Sequence, residues 1–90
     1  MKVVYFALLR DATGKNEEEW RAPAATVREL LLALCKRYGE RFTRWVMRDG
    51  ALWSLVIVLV NGRDVRSLQG MDTPLGAGDT VVIFPPLGGG

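Results

Sequence analysis

Thr80-Val81-Val82-Ile83-Phe84-Pro85-Pro86-Leu87-Gly88-Gly89-Gly90 closes the chain, and the other segments take their places from it. Its first half is an unbroken run of β-branched and aromatic residues, which reads as a strand. Pro85 and Pro86 stop that strand, since each lacks an N–H and holds φ near the polyproline value. Leu87 follows, then three glycines. The six residues 85–90 reach roughly 20 Å when extended. Glycines are thin, adopt backbone angles closed to other residues and add nothing to a core. A narrow, flexible rod ending in a carboxylate suits insertion into a tunnel of another protein. The competing reading is a frayed terminus or a cloning remnant, and the tail alone does not separate the two.

Ninety residues make one domain with a modest core. Apolar residues make up 49% before glycine is counted, which leaves apolar surface to spare for a partner. A net charge of +2 is too small to argue for nucleic acid. There is no histidine, and the single Cys35 has no internal disulfide partner, so a reducing cytoplasm is expected. The N-terminal run does not read as a signal peptide. The apolar stretch 55–60 is far too short to cross a bilayer.

Lys2 to Leu9 reads as a strand, apolar on both faces. Residues 11–15 read as a turn in which Gly14 supplies a positive φ. Asn16 to Ala22 reads as a second strand, charged enough for a sheet edge, completing a first hairpin. Thr26 and Glu29 form a capping box opening a helix. Val27, Leu30, Leu31, Leu34 and Tyr38 share its core face, and Gly39 caps its end. Leu32 points away, and Cys35 at the flank reads as a packing residue. Glu40 to Met47 reads as a shorter helix anchored by Phe42, Trp45 and Val46. Arg37, Arg41, Arg44 and Arg48 recur at spacings of four, three and four, either a solvated face or a dock for an acidic partner.

Asp49-Gly50 turns the chain into the most apolar strand, Trp53 to Val60, with Leu55, Ile57 and Leu59 on one face and Val56, Val58 and Val60 on the other. Asn61-Gly62 signals a tight hairpin. Residues 63–66 return as a short strand, 67–75 form a loop, and 76–79 turn into the final strand. A single main helix covers one sheet face only, so the other is exposed or meets a partner. The expected fold is α+β, a β-grasp: a mixed sheet of four to five strands, first and last parallel at its centre, with one main helix on one face and a short second helix. Residues 1–84 form the β-grasp domain and 85–90 the flexible glycine tail.

Tyr5-Phe6-Ala7-Leu8-Leu9-Arg10, Val60-Asn61-Gly62, Asp72-Thr73-Pro74-Leu75, Gly78-Asp79 and Phe84-Pro85-Pro86 with its terminal glycines, in that order, resemble the MoaD/ThiS group of ubiquitin-like sulfur carriers. The likeness spans nearly the whole chain and is strongest to the branch serving as small subunit of molybdopterin synthase. The resemblance implies that a ubiquitin-activating-like partner, using ATP and magnesium, adenylates the terminal carboxylate. A persulfide sulfur then displaces AMP, leaving a thiocarboxylate. It further implies delivery of that sulfur to a pterin precursor held by the large subunit of molybdopterin synthase, for molybdenum or tungsten cofactor synthesis. Alternatives from the same resemblance are sulfur carriage for thiamin or transfer-RNA thiolation, and conjugation to lysines as a protein modifier.

The residue types agree with activation from outside. A free α-carboxylate has a pKa of about 3.5 and is a poor electrophile when ionised. The chain offers no histidine, no nucleophile with a base beside it and no phosphate-binding loop. It is therefore expected to be a carrier and not an enzyme on its own, binding no cofactor or metal itself and needing neither nucleic acid nor membrane. Gly90 is the expected reactive terminus, with Gly89 beside it; Phe84, Pro85, Pro86, Leu87 and Gly88 are the expected partner contacts. The family usually ends in two glycines and this chain in three, so either Gly90 is the working end or it is trimmed to Gly89. The two ends differ by about 3.5 Å, enough to spoil in-line attack in a rigid tunnel.

Overall fold

The computed structural model describes residues 1–86 of the 90-residue chain. Its order is β1 (Lys2–Tyr5), α1 (Leu8–Thr13), β2 (Glu17–Glu19), α2 (Val27–Tyr38), α3 (Glu40–Val46), β3 (Met47–Arg48), β4 (Ala51–Leu52), β5 (Ile57–Val60), β6 (Arg63–Asp64) and β7 (Thr80–Phe84), with two single-turn 3₁₀ segments between β6 and β7. Five strands form a mixed sheet in the order β2-β1-β7-β5-β6. β7 occupies the centre, parallel to β1 and antiparallel to β5. This is the expected β-grasp arrangement, and charged β2 does lie at an edge.

α2 crosses one face of that sheet. Thr26 Oγ1 accepts from the Glu29 N–H at 3.2 Å, and the Glu29 carboxylate reaches back to the Ala25 N–H at 3.3 Å. The orphan N–H of Glu29 is thus satisfied by the cap, and the Glu29 carboxylate ties down the residue before that cap. Val27, Leu30, Leu31 and Leu34 are fully buried against Val3, Tyr5, Val81 and Ile83, with Val58 and Val60 completing the layer. Each such side chain removed from water contributes roughly 2 kcal/mol. Leu32, on the opposite flank, is 53% exposed, as its phase on the helix requires.

The structure departs from the sequence expectation in several places. The first strand stops at Tyr5, not Leu9: Ala7 takes a positive φ of 51°, and residues 8–13 coil into α1, ended by Gly14 at φ 76°. Leu9 is buried on the inner side of this helix rather than in a ladder, the anticipated 11–15 turn is mostly helix, and β1 and β2 pair without a tight hairpin. Second, Asp49 and Gly50 both take positive φ and close a separate two-stranded ribbon, β3–β4, where the sequence pattern gives only a helix ending at Met47 and the Asp49-Gly50 turn. Third, the ladder of β5 begins at Ile57, because Trp53 to Val56 form a turn closed by a Val56 N–H bond to the Trp53 carbonyl at 2.9 Å. The second and sixth strands are likewise shorter than read, at three and two residues.

Candidate functional site

β7 carries the chain to the point where the expected site begins. The strand is fixed at its start. Asp79 accepts from Asn61 Nδ2 at 2.9 Å and from the Gly76 N–H at 2.7 Å, while Asn61 Oδ1 accepts from the Thr80 N–H at 3.0 Å. The Asn61 bond, then the Gly76 bond, hold the Asp79 carboxyl below its usual range, so the clamp stays charged at neutral pH. Its other end is fixed by side chains. Phe84 stacks on Phe6 with ring centroids 4.5 Å apart. The Arg10 guanidinium lies 5.1 Å from the Phe6 ring centre, and its Nε donates to the Tyr5 carbonyl at 3.1 Å. Arg10, Phe6 and Phe84 thus form a short stack beside the strand exit. Pro85 and Pro86 follow and are both buried. Leu87, Gly88, Gly89 and Gly90, including both expected reactive positions, lie outside the described residues.

The sheet face away from α2 is apolar at the same end. Val4, Val82 and Leu59 align in one cross-strand row, and Phe84 aligns with Ile57 in the next, with Phe6 beside them. The other end of the face carries Lys2 and Thr80. All four of Val4, Val82, Ile57 and Leu59 are half-buried, since no helix covers them. The uncovered face anticipated from a one-helix sheet therefore runs directly to the strand exit. Phe6 and Arg10 are not among the expected contacts, although both stand in the 5–10 stretch that carries the resemblance. Phe6 shares the parity of Val4, which signals its face; the place of Arg10 depends on α1, where the sequence pattern gives only a strand end and a turn.

Two other features have simpler roles. Cys35 is half-buried and burial pushes its thiol up, the opposite of an activated thiolate. Glu18, with a side chain only 8% exposed, accepts hydroxyl hydrogen bonds from Tyr5 and Tyr38 and one from Lys15 Nζ at 3.2 Å. Burial acts to raise the Glu18 carboxyl, but the bonds from Tyr38, Tyr5 and Lys15 outweigh it and hold the group below its ordinary value. This network ties the edge strand to α2 and makes no opening to solvent chemistry. The four arginines do not form one stripe. Arg37 lies over Trp20 and 3.9 Å from Glu18, and Arg48 over Trp53, leaving Arg41 and Arg44 together on α3. The break at Gly39 and the turn into β3 remove the helical phase that the spacing assumed.

The described residues contain no helix long and apolar enough to cross a membrane. The ThiS family profile matches residues 3–90. The chain is 38% identical to small archaeal modifier protein 3 of Haloferax volcanii, covering all of this chain and 98% of that one. It is 34% identical to the molybdopterin synthase sulfur carrier subunit of Escherichia coli, covering all of this chain and 99% of that one. Among solved structures, small archaeal modifier protein 1 of Methanosarcina acetivorans superposes with a TM-score of 0.84 at 30% identity, over 99% of this chain and 94% of that one.

Proposed function

The chain belongs to the ThiS family of ubiquitin-like sulfur carriers and modifiers, and we propose that its own task is to carry sulfur on the carboxylate of its terminal glycine. The observation that supports this most directly is the central strand, clamped at its start and stacked at its end, where it leaves the sheet beside an uncovered apolar face. That arrangement fixes the base from which residues 87–90 continue. An adenylating partner supplies ATP and magnesium. The Gly90 carboxylate oxygen attacks the α-phosphorus, forming an acyl-adenylate and releasing pyrophosphate. The outer sulfur of a persulfide on the partner or donor then attacks the carbonyl carbon and AMP leaves. A thiol reductant cleaves the remaining S–S bond, leaving the thiocarboxylate.

The acceptor we favour is the pterin precursor of molybdenum or tungsten cofactor synthesis, with this chain as the small subunit of molybdopterin synthase. The full-length match to the Escherichia coli subunit supports it. The match to a Haloferax volcanii modifier supports a second reading, conjugation of the same activated glycine to lysine amines. Both use one acyl-adenylate and diverge at the nucleophile. Intact-mass measurement after incubation with an adenylating partner, ATP and a persulfide donor is expected to show one oxygen replaced by sulfur. Deleting Gly89 and Gly90 is expected to abolish the change. An unchanged mass with a partner that charges a known carrier overturns the proposal. Deleting Gly90 alone distinguishes the two possible ends, since the shortened chain stays competent only if Gly89 is the activated residue.

A further inference from the structure

α1 packs against α3, and the groove between them combines apolar Leu8, Ala12 and Trp45 with Arg41 and Arg44 on the α3 side and Asp11 on the α1 side. Leu8, 40% exposed, lies with Ala12 and half-buried Trp45 along a cavity of about 310 Å³, and Arg41 and Arg44 stand beside them. The Arg44 guanidinium lies 5.4 Å from the Trp45 ring centre. Arg41 and Asp11 also line an adjoining hollow of about 620 Å³, where Arg10 and Lys15 add two more cations. Among the described residues neither Arg41 nor Arg44 has a carboxylate within ion-pair distance. Asp11 is the single acid in either hollow.

We propose that the α1–α3 groove docks an acidic, amphipathic helical segment of a partner protein, apolar side chains on Leu8, Ala12 and Trp45 and carboxylates on Arg41 and Arg44. A solvated arginine face needs no apolar floor, and a plain apolar patch needs no unpaired arginines along its α3 side. The combination matches helix-in-groove recognition, and tryptophan and arginine are the residue types that dominate binding energy at interfaces. Arginine also prefers carboxylate by its paired donors. Nucleic acid fits less well: the chain carries only +2 overall, and Arg44 already occupies a face of Trp45 that a base would stack on. The groove adjoins the strand exit through Arg10, which lines the neighbouring hollow and also lies over the Phe6 ring.

The test is an amide-shift titration of the isotope-labelled full chain with a synthetic helical peptide carrying leucines at i, i+3, i+4 and i+7 and glutamates elsewhere. Shifts are expected in Leu8–Thr13, Glu40–Val46 and the Trp45 indole. Affinity is expected to fall at least about tenfold in the Arg41→Glu/Arg44→Glu variant, and to weaken with added salt in the unaltered chain through charge screening. The salt arm reads the same interaction without relying on the variant's fold. A peptide with lysines in place of the glutamates is expected not to bind. No shifts at millimolar peptide, shifts confined to Val4, Ile57, Leu59 and Val82, equal binding of the lysine peptide, or stronger binding of a single-stranded RNA at the groove each overturns the proposal. None of these readouts involves adenylation or sulfur, so they stand apart from the outcome of the mass experiment.

Discussion

Glu18 concentrates the charge physics of the body into one side chain. A carboxylate this buried is tolerated because two tyrosine hydroxyls and a lysine donate to it, with Arg37 beyond. Burial, reinforced by the Glu18 carboxylate, pushes the Tyr5 hydroxyl well above its usual range, so Tyr5 remains a donor throughout. Replacing Glu18 with glutamine keeps the shape but removes the charge and turns one acceptor into a donor. The expected cost is about 1–3 kcal/mol at neutral pH. The sign with pH follows from the depressed carboxyl. Its stabilisation is complete above the unfolded value of about 4.3 and disappears as pH falls through the lower folded value. Urea midpoints measured from pH 6 to pH 3 should therefore drop more steeply for the unaltered chain than for Glu18→Gln, the two curves converging in acid. Parallel curves would show that Glu18 carries no differential charge stabilisation.

At the scale of elements, Gly39 joins α2 to α3 with no residue between them. Its N–H donates to the Cys35 carbonyl at 2.8 Å, and its own carbonyl accepts from the Phe42 and Thr43 N–H groups at 3.0 Å. To do both it takes φ 70° and ψ −156°, a region open essentially to glycine. A Cβ built there meets nothing within 4 Å, so a Gly39→Ala change adds backbone strain without a clash. A loss of about 1–3 kcal/mol is expected, seen as a lower urea midpoint at unchanged m-value; an unchanged midpoint would mean that the junction relaxes freely. Gly39 was legible in the sequence because a glycine after a capped, 3.6-periodic run has one common use. α2 and the Asn61-Gly62 hairpin were legible for similar reasons, each combining a periodic or alternating run with a turn residue. α1 was not. Six residues are too few to show a period, and Leu8-Leu9 extends the apolar run of β1 without interruption. The break falls on Ala7, which carries no turn signal, yet it adopts φ 51°. β3 and β4, two residues each, are shorter than any pattern that could mark them.

For the molecule as a whole, the sheet has two faces with two fates. One is sealed by α2, and the other ends at the strand exit with Val4, Val82, Ile57, Leu59 and the Phe6–Phe84 stack half-open. The glycine terminus stands out in the sequence by residue type, whereas the stack at the strand exit does not, because Phe6 and Arg10 arrive there from the opposite end of the chain. If the open face is what an adenylating partner grips, its residues govern encounter and the terminal glycine governs chemistry. Leu59→Glu places a charge in the middle of that face, opposite Val82. It should raise the concentration of carrier needed for half-maximal thiocarboxylate formation by at least about tenfold, roughly 1.4 kcal/mol of docking, while the rate at saturation stays within about twofold because uniform binding is lost. Leu32→Glu, on the outward flank of α2, introduces the same charge at a comparably apolar surface position. It should leave both quantities unchanged. A loss of saturating rate in Leu59→Glu with an intact fold by circular dichroism would instead make the face part of the catalytic geometry. Equal behaviour of the two variants would move the grip to the tail alone, since a carrier held only by its last few residues is indifferent to which side of its body is charged.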